Sequence, residues 1–96
     1  MIIFTWDENK RLINIKKHQL DFTEAKEAFY DDCSLYYPDP DHSNAEDRYI
    51  LIGMNKKGDI LVVVHCYKDG DSVIRIISAR KATYKEKLIY LEGRFI

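Results

Sequence analysis

The chain has few of the residues that mark the commonest metal, nucleotide and membrane proteins. Its two cysteines, Cys33 and Cys66, are 33 positions apart, so we expect neither a disulfide framework nor a four-ligand zinc site. The four glycines stand singly at 53, 58, 70 and 93, which excludes the glycine-rich loops of nucleotide-binding enzymes. The longest clearly apolar run, Ile60 to Val64, is far below the roughly 18 residues that cross a bilayer. We therefore predict no cofactor, no bound metal and no membrane contact.

Length and charge indicate the number of domains, the compartment and the place of any anion-binding site. Ninety-six residues are enough for a single domain, 1–96, and too few for two. Asp7 and Glu8 near the start argue against a signal peptide and favour a cytoplasmic protein. The formal net charge is only −1, but residues 67–96 carry seven basic and four acidic side chains. We therefore expect any anion-binding site late in the chain.

Capping residues and hydrophobic periodicity predict an α+β domain with the order β-α-α-β-β-β-α. The predicted helix caps are Asp7, the capping boxes Asp21 with Glu24 and Thr83 with Glu86, and Gly93 at the end of the last helix. Its sheet is expected to be mostly antiparallel, with four strands, and covered by helices on one face. The predicted elements are a strand at 2–6, helices at 8–18 and from Asp21, a long loop at 31–47, strands at 48–54, 60–67 and 73–78, and a helix at 83–93.

Strand alternation predicts which side chains share a face. One face, the helix-covered core, is expected to hold the even-numbered residues from Ile60 to Cys66 together with Ile74, Ile76 and Ser78. The opposite, uncovered face then holds His65, Tyr67 and Arg75.

Arg75 is the most informative residue because it interrupts an apolar strand, Val73–Ile77. An arginine in that position needs solvent, a carboxylate or a phosphate for its head group. An ion pair with Glu46 and exposure to solvent are both open alternatives. The nearby Arg80 and Lys81 can equally be solvated charges at the entry to a helix, and His65 can be a hydrogen-bonded sheet residue.

An ordered series of residues extends over nearly the whole chain and includes the segment around Arg75. Its members are Phe4, Trp6, Asp7, Lys10, Asn14, Lys17, His18, Phe22, Glu24, Ala25, Phe29, Asp31, Glu46, Arg48, Gly53, Arg75 to Ala82, Glu86 and Tyr90. With this series the chain resembles the BrnT family, a branch of the RelE-like ribonuclease toxins of type II toxin-antitoxin systems. The family usually has glycine where this chain has Gln19, a position that costs about 1 kcal/mol if its φ is positive.

The resemblance implies a RelE-like fold and a ribonuclease that cleaves RNA and stops translation. It also implies neutralisation by a BrnA-type antitoxin, a ribbon-helix-helix protein whose DNA contacts repress the operon. A binding module of the same fold, without cleavage, is the alternative function. A plain RNA-binding domain is a weaker third interpretation, because no strand carries the paired aromatics of a base-stacking sheet.

Cleavage by the ribose 2′-hydroxyl needs no metal, because the nucleophile is already part of the substrate. Arg75 and Arg80 are the candidates for holding the scissile phosphate, and His65 or Glu46 is the candidate base. Arg48, Lys81 and Tyr67 are the candidates for binding neighbouring RNA. The face assignment favours His65 over Glu46.

The terminal helix has more apolar residues, Leu88, Ile89 and Leu91, than a short helix over a sheet edge needs. We expect part of this stripe, with Tyr84 and Tyr90, to remain available for the antitoxin.

Overall fold

The computed structural model of the chain describes residues 2–40 and 48–94. Its five strands form one sheet in the order β1-β5-β4-β3-β2, in which β1 is parallel to β5 and the other neighbours are antiparallel. The elements in chain order are β1 (Ile3–Thr5), α1 (Glu8–His18), α2 (Phe22–Ala28), β2 (Leu35–Pro38), β3 (Arg48–Met54), β4 (Ile60–Lys68), β5 (Val73–Lys81) and α3 (Tyr84–Glu92).

The predicted order of elements is largely confirmed, but the strand count is wrong. The bounds of α1 and β3 are those expected, and β5 extends three residues beyond the predicted Ser78. The additional strand, β2, lies within the segment expected to be a loop and pairs with the outer edge of β3. Its last residue, Pro38, fits an edge position because an edge strand can lack one ladder donor.

Helices cover both faces of the sheet, not one. The α1/α2 face carries a core that includes Leu51, Leu61 and Val63 beneath α2. The α3 face carries a second core, in which Ile52 and Val62 pack against Ile89 of α3. Strands β3 and β4 have apolar side chains at successive positions, which is the pattern of strands buried on both faces.

An irregularity in β5 reverses the predicted faces. Val64 pairs with Ser78 and His65 pairs with Ile76, so Ile77 has no partner in β4 and forms a bulge. Residues directly opposite in an antiparallel pair share a face, and His65 therefore lies on the α1/α2 face with Ile76. The expectation that Val64 and Cys66 share the face of Ile76 is wrong for the same reason.

The capping residues predicted from the sequence are present. Asp7 accepts a hydrogen bond from Lys10 N, and Asp21 accepts one from Thr23 N. Thr83 and Glu86 form a reciprocal capping box at the start of α3, which ends at Gly93 in a left-handed conformation with φ of 73°. No helix within residues 2–40 and 48–94 combines the length and apolar character needed to cross a membrane.

Three sets of close contacts between residues far apart in the sequence fix the helices to the sheet. Asn14 of α1 is buried; its amide donates to the carbonyls of Leu20 and Ala79 at 2.9 and 2.8 Å and accepts from Ala79 N at 3.1 Å. Gly53 lets α2 approach β3 closely, because a Cβ there would lie 2.7 Å from the carbonyl oxygen of Ala28. The Asp31 carboxylate follows α2 and bridges β3 and α3, as described next.

Asp31 accepts three hydrogen bonds from three separate segments. The donors are the Tyr90 hydroxyl of α3 at 2.6 Å, Met54 N of β3 at 2.8 Å and Cys33 N at 2.9 Å. Burial alone would raise the pKa of this carboxyl, but the three donors together lower it. The carboxylate thus joins the end of α2 to both the sheet and the terminal helix.

Gln19 ends α1 in the left-handed region, with φ of 54° and ψ of 37°. Glycine has no Cβ to strain there, so we expect Gln19→Gly to raise the free energy of unfolding by about 1 kcal/mol. That gain corresponds to a melting temperature roughly 4–8 °C higher. Gln19→Ala is the matched control, since it keeps a Cβ. Equal melting temperatures for the glycine and alanine variants would contradict the assignment of strain.

Candidate functional site

Two arginines flank Cys66 on the α3 face, at the end of the sheet beyond α3. Arg48 of β3 and Arg75 of β5 both pair with Cys66 of β4, one from each side. Their Cα atoms are therefore two strand spacings apart, about 10 Å. Arginine side chains are long enough for both guanidinium groups to meet over Cys66, which is only 1% exposed.

Neither guanidinium has a partner among the described residues. The guanidinium groups of Arg75 and Arg48 form no hydrogen bond or ion pair within residues 2–40 and 48–94, and Nε of Arg48 is buried without an acceptor there. A buried charged donor without an acceptor is costly. The row of Arg48, Cys66 and Arg75 is thus a place where an anion would be stabilised.

Arg80 lies on the same face, but its guanidinium is already paired. It donates to both carboxylate oxygens of Glu86, at 2.7 and 2.9 Å. This bidentate pair, together with Thr83 N, lowers the pKa of Glu86 to about 2. The Arg80 side chain is still 41% exposed, so it adds positive potential to the face without offering a free fork of donors.

A central row of side chains separates Arg80 from Arg48 and Arg75. Tyr37, Ile50, Val64 and Ser78 pair in sequence across β2, β3, β4 and β5. Burial raises the pKa of Tyr37, and nearby Glu86 raises it further. The candidate site is therefore a shallow, partly apolar surface. Arg48 and Arg75 lie at one end, Arg80 lies at the other, and the neutral phenol of Tyr37 lies beside it.

The predicted placement of His65 beside Arg75 is wrong. His65 is fully buried on the α1/α2 face, with its ring 4.8 Å from that of Phe29 and 5.3 Å from that of Tyr67. Burial lowers its pKa to about 4, although Nδ1 lies 3.2 Å from the carbonyl of Val63. The bulge at Ile77 causes this difference. In a regular ladder without the bulge, His65 and Arg75 would lie on the same face of the sheet.

Two further predicted residues also lie away from the arginines. Tyr67 pairs with Ile74 on the α1/α2 face, where its ring is 5.4 Å from that of Tyr49. Lys81 pairs with Leu61, on that same face, and is exposed at the end of β5. Glu46 lies outside the described residues. Of the six candidates within the described residues, only Arg48, Arg75 and Arg80 lie on the α3 face.

The sequence reasoning missed Tyr37 and the second role of Glu86. The loop predicted at 31–47 includes Tyr37, although the alternating Leu35 and Tyr37 before Pro38 are a short edge-strand pattern. Glu86 was recognised only as the partner of Thr83 in a capping box. Its pairing with Arg80, six residues earlier, depends on the turn between β5 and α3 and has no local signal.

A groove on the described surface lies elsewhere. It has a volume of about 670 Å³ and lies between α2 and the β3–β4 turn, lined by residues such as Lys26, Tyr30 and Lys56. Its two carboxylates are used internally, since Glu27 accepts from Lys56 N and Asp31 holds Tyr90. No group of three or more His, Cys, Asp or Glu side chains within the described ranges could hold a metal.

His65 predicts an acid sensitivity of the fold. Its pKa is about 4 in the folded protein and near 6.5 when unfolded, so the unfolded chain binds a proton first as the pH falls. The contribution of neutral His65 to the free energy of unfolding is therefore fully present above about pH 6.5. It declines toward pH 4, by about 1–2 kcal/mol between pH 7 and 5. Urea unfolding at both pH values measures this loss. His65→Phe keeps an aromatic ring next to Phe29 and Tyr67, and the substitution should abolish the loss of stability at pH 5. An equal loss in the variant would contradict the assignment to His65.

Comparison with known proteins gives the context for this geometry. The family described as "Ribonuclease toxin, BrnT, of type II toxin-antitoxin system" matches residues 6–86. The crystal structure of the Brucella abortus ribonuclease toxin BrnT is similar with a TM-score of 0.65 and 28% sequence identity, covering 86% of this chain and 99% of that one. No match to a protein with curated annotation was found. The chain belongs to the BrnT family of ribonuclease toxins of type II toxin-antitoxin systems.

Proposed function

We propose that residues 1–96 act as a single toxin domain in the cytoplasm, cleaving RNA at a phosphate held between Arg48 and Arg75. The observation that carries this proposal is the pair of guanidinium groups on either side of Cys66, which have no partner among the described residues and one of which has a buried Nε. Guanidinium groups match the geometry of a phosphate and can each donate two parallel hydrogen bonds to it.

In the proposed reaction the ribose 2′-oxygen attacks the adjacent phosphorus. A bond forms between phosphorus and the 2′-oxygen and the bond to the 5′-oxygen of the next nucleotide breaks. The leaving 5′-oxygen takes a proton from water, and a 2′,3′-cyclic phosphate remains. Arg48 and Arg75 stabilise the additional negative charge on the phosphate oxygens as it develops. Because the nucleophile is internal to the substrate and the arginines supply the charge, the proposed reaction requires no metal.

The remaining predicted residues take different parts in this proposal. Arg80 strengthens the positive potential of the face while Glu86 holds it, and it does not need to contact the scissile phosphate. The base that takes the 2′-hydroxyl proton is assigned to Glu46, which precedes Arg48 by two residues. His65 is left out because its ring lies on the opposite face of the sheet.

Cleavage of RNA by a free toxin is proposed to inhibit translation until an antitoxin binds. A BrnA-type ribbon-helix-helix protein is the proposed antitoxin, and operator DNA is contacted through it alone. Membership of a type II toxin family supports an antitoxin partner in general. The proposal of a BrnA-type antitoxin rests on the resemblance of the sequence to the BrnT family.

A binding module without cleavage is the second candidate. It is favoured by the pairing of Arg80 with Glu86 and by the placement of His65 away from Arg75. Induced expression without antitoxin separates the two functions, because a ribonuclease arrests growth and a docking module does not.

Arg75→Ala is expected to abolish growth arrest by the induced toxin while leaving the melting temperature within a few degrees of wild type. The reason is that Arg75 makes no bond to the described residues that the fold would lose, whereas the transition state loses a cation. Arg94→Ala, an exposed arginine after α3, is the matched control and should remain toxic. Growth curves and thermal melting of both purified variants test this.

A large fall in melting temperature together with lost toxicity would instead make Arg75 a structural residue. Arg75→Lys sharpens the test, since lysine keeps the charge but cannot donate two parallel hydrogen bonds. Full toxicity of that variant would argue against bidentate phosphate binding.

Cleavage of RNA by the purified toxin is expected to persist in excess chelator and to leave a cyclic phosphate end. The end group can be measured by mass spectrometry of a short cleaved oligonucleotide. Activity that disappears with chelator and returns with a divalent ion would contradict the mechanism, provided that an unstructured oligonucleotide is the substrate.

A further inference from the structure

The terminal helix α3 has apolar side chains on two opposite sides. Ile89, which is 9% exposed, and the half-buried Tyr90 face the sheet. Tyr84, Leu88 and Leu91 are spaced by four and three residues, so at about 100° per residue they form one stripe. The centre of this outer stripe lies roughly opposite Ile89 and Tyr90 around the helix axis.

The outer stripe is largely uncovered by the described residues. Tyr84 is 77% exposed and Leu91 is 71% exposed, with the half-buried Leu88 between them. Tyr84 and Leu91 are thus exposed, as the expected availability of the stripe requires, whereas the Tyr90 hydroxyl is committed to Asp31. A short surface helix normally turns charged residues, not a tyrosine and leucines, toward water.

Charges around the outer stripe are mainly positive. Three exposed cations lie on α3 or directly after it, against one exposed carboxylate, Glu92; they are Lys85, Lys87 and Arg94. The other carboxylate of the helix, Glu86, is held in its ion pair with Arg80. An apolar stripe with this border complements a segment that carries apolar side chains flanked by acidic ones.

We propose that the outer stripe, Tyr84, Leu88 and Leu91, is the docking surface for an acidic amphipathic segment of the cognate antitoxin. The chain's membership of a type II toxin family supplies the existence of such a partner. The first turn of α3 contacts Arg80 through Glu86, and Arg80 shares its face with Arg75 and Arg48. A segment on α3 that continues past Glu86 would place acidic groups over these arginines.

This second part, occlusion of the arginines, rests on the phosphate site proposed above; docking on α3 does not. Bound carboxylates over Arg48 and Arg75 would compete with the RNA phosphate for the same donors. The antitoxin would then neutralise the toxin by covering its anion site, while the apolar stripe supplies most of the affinity.

Calorimetric titration of purified toxin with its cognate antitoxin tests the proposal. Leu91→Ser is expected to weaken binding by about 10-fold or more, as truncation of a buried apolar contact in an interface does. Ile13→Ser is the matched control, because Ile13 of α1 is 63% exposed and lies outside the stripe. Lys85→Glu should weaken binding more at low salt than at raised salt, and Lys10→Glu on α1 should not.

Wild-type affinity of the Leu91→Ser variant would overturn the proposal, and so would an equal loss in Ile13→Ser. Light scattering of the free toxin excludes another occupant: a dimer that Leu91→Ser dissociates would make the stripe a contact between two copies of this chain. RNA cleavage by free Leu91→Ser should equal that of wild type. Absence of cleavage in both proteins would count against the proposed function and leave the docking result to be judged by the titration alone.

Discussion

The additional residue in β5 is the constraint on which the candidate site depends. Arg75 and Arg80 are five positions apart, an odd number that would place them on opposite faces of a regular strand. Because Ile77 has no partner in β4, the parity changes between them and both lie on the α3 face. The same change keeps Ile76 and Ala79, three positions apart, in the core beneath α1 and α2. One unpaired residue lets a single strand supply both a packed core and a cationic surface.

Several residues that carry the family resemblance hold elements together. Asn14 fastens α1 to β5, Gly53 admits α2, and Asp31 ties α2 to Tyr90 of α3. Each buried hydrogen bond of this kind contributes on the order of 1 kcal/mol, and removing one partner costs more because the other is left buried. Against this background the unpartnered Arg48 and Arg75 are exceptional, since nothing among the described residues requires their charge.

Local signals in the sequence were sufficient for the helices and for most of the strands. Asp7, Thr83 and Gly93 predict where α1 begins and where α3 begins and ends, because capping depends on neighbours within one turn. The face of His65 could not be predicted in this way. It depends on the register between β4 and β5, which a bulge shifts by one residue, and the pattern of apolar residues in β4 is compatible with either face. The coverage of both faces likewise depends on where α3 docks.

Glu86 connects the two surfaces that the structure distinguishes on the α3 face. Its carboxylate accepts from Thr83 N at the start of α3 and from both terminal nitrogens of Arg80. A helix of nine residues is marginal by itself, so α3 depends on this cap and on the packing of Ile89 against the sheet. The position of α3 and the orientation of Arg80 are therefore fixed by one carboxylate. A ligand that contacts either Arg80 or the outer stripe therefore contacts a part of the structure that Glu86 holds together.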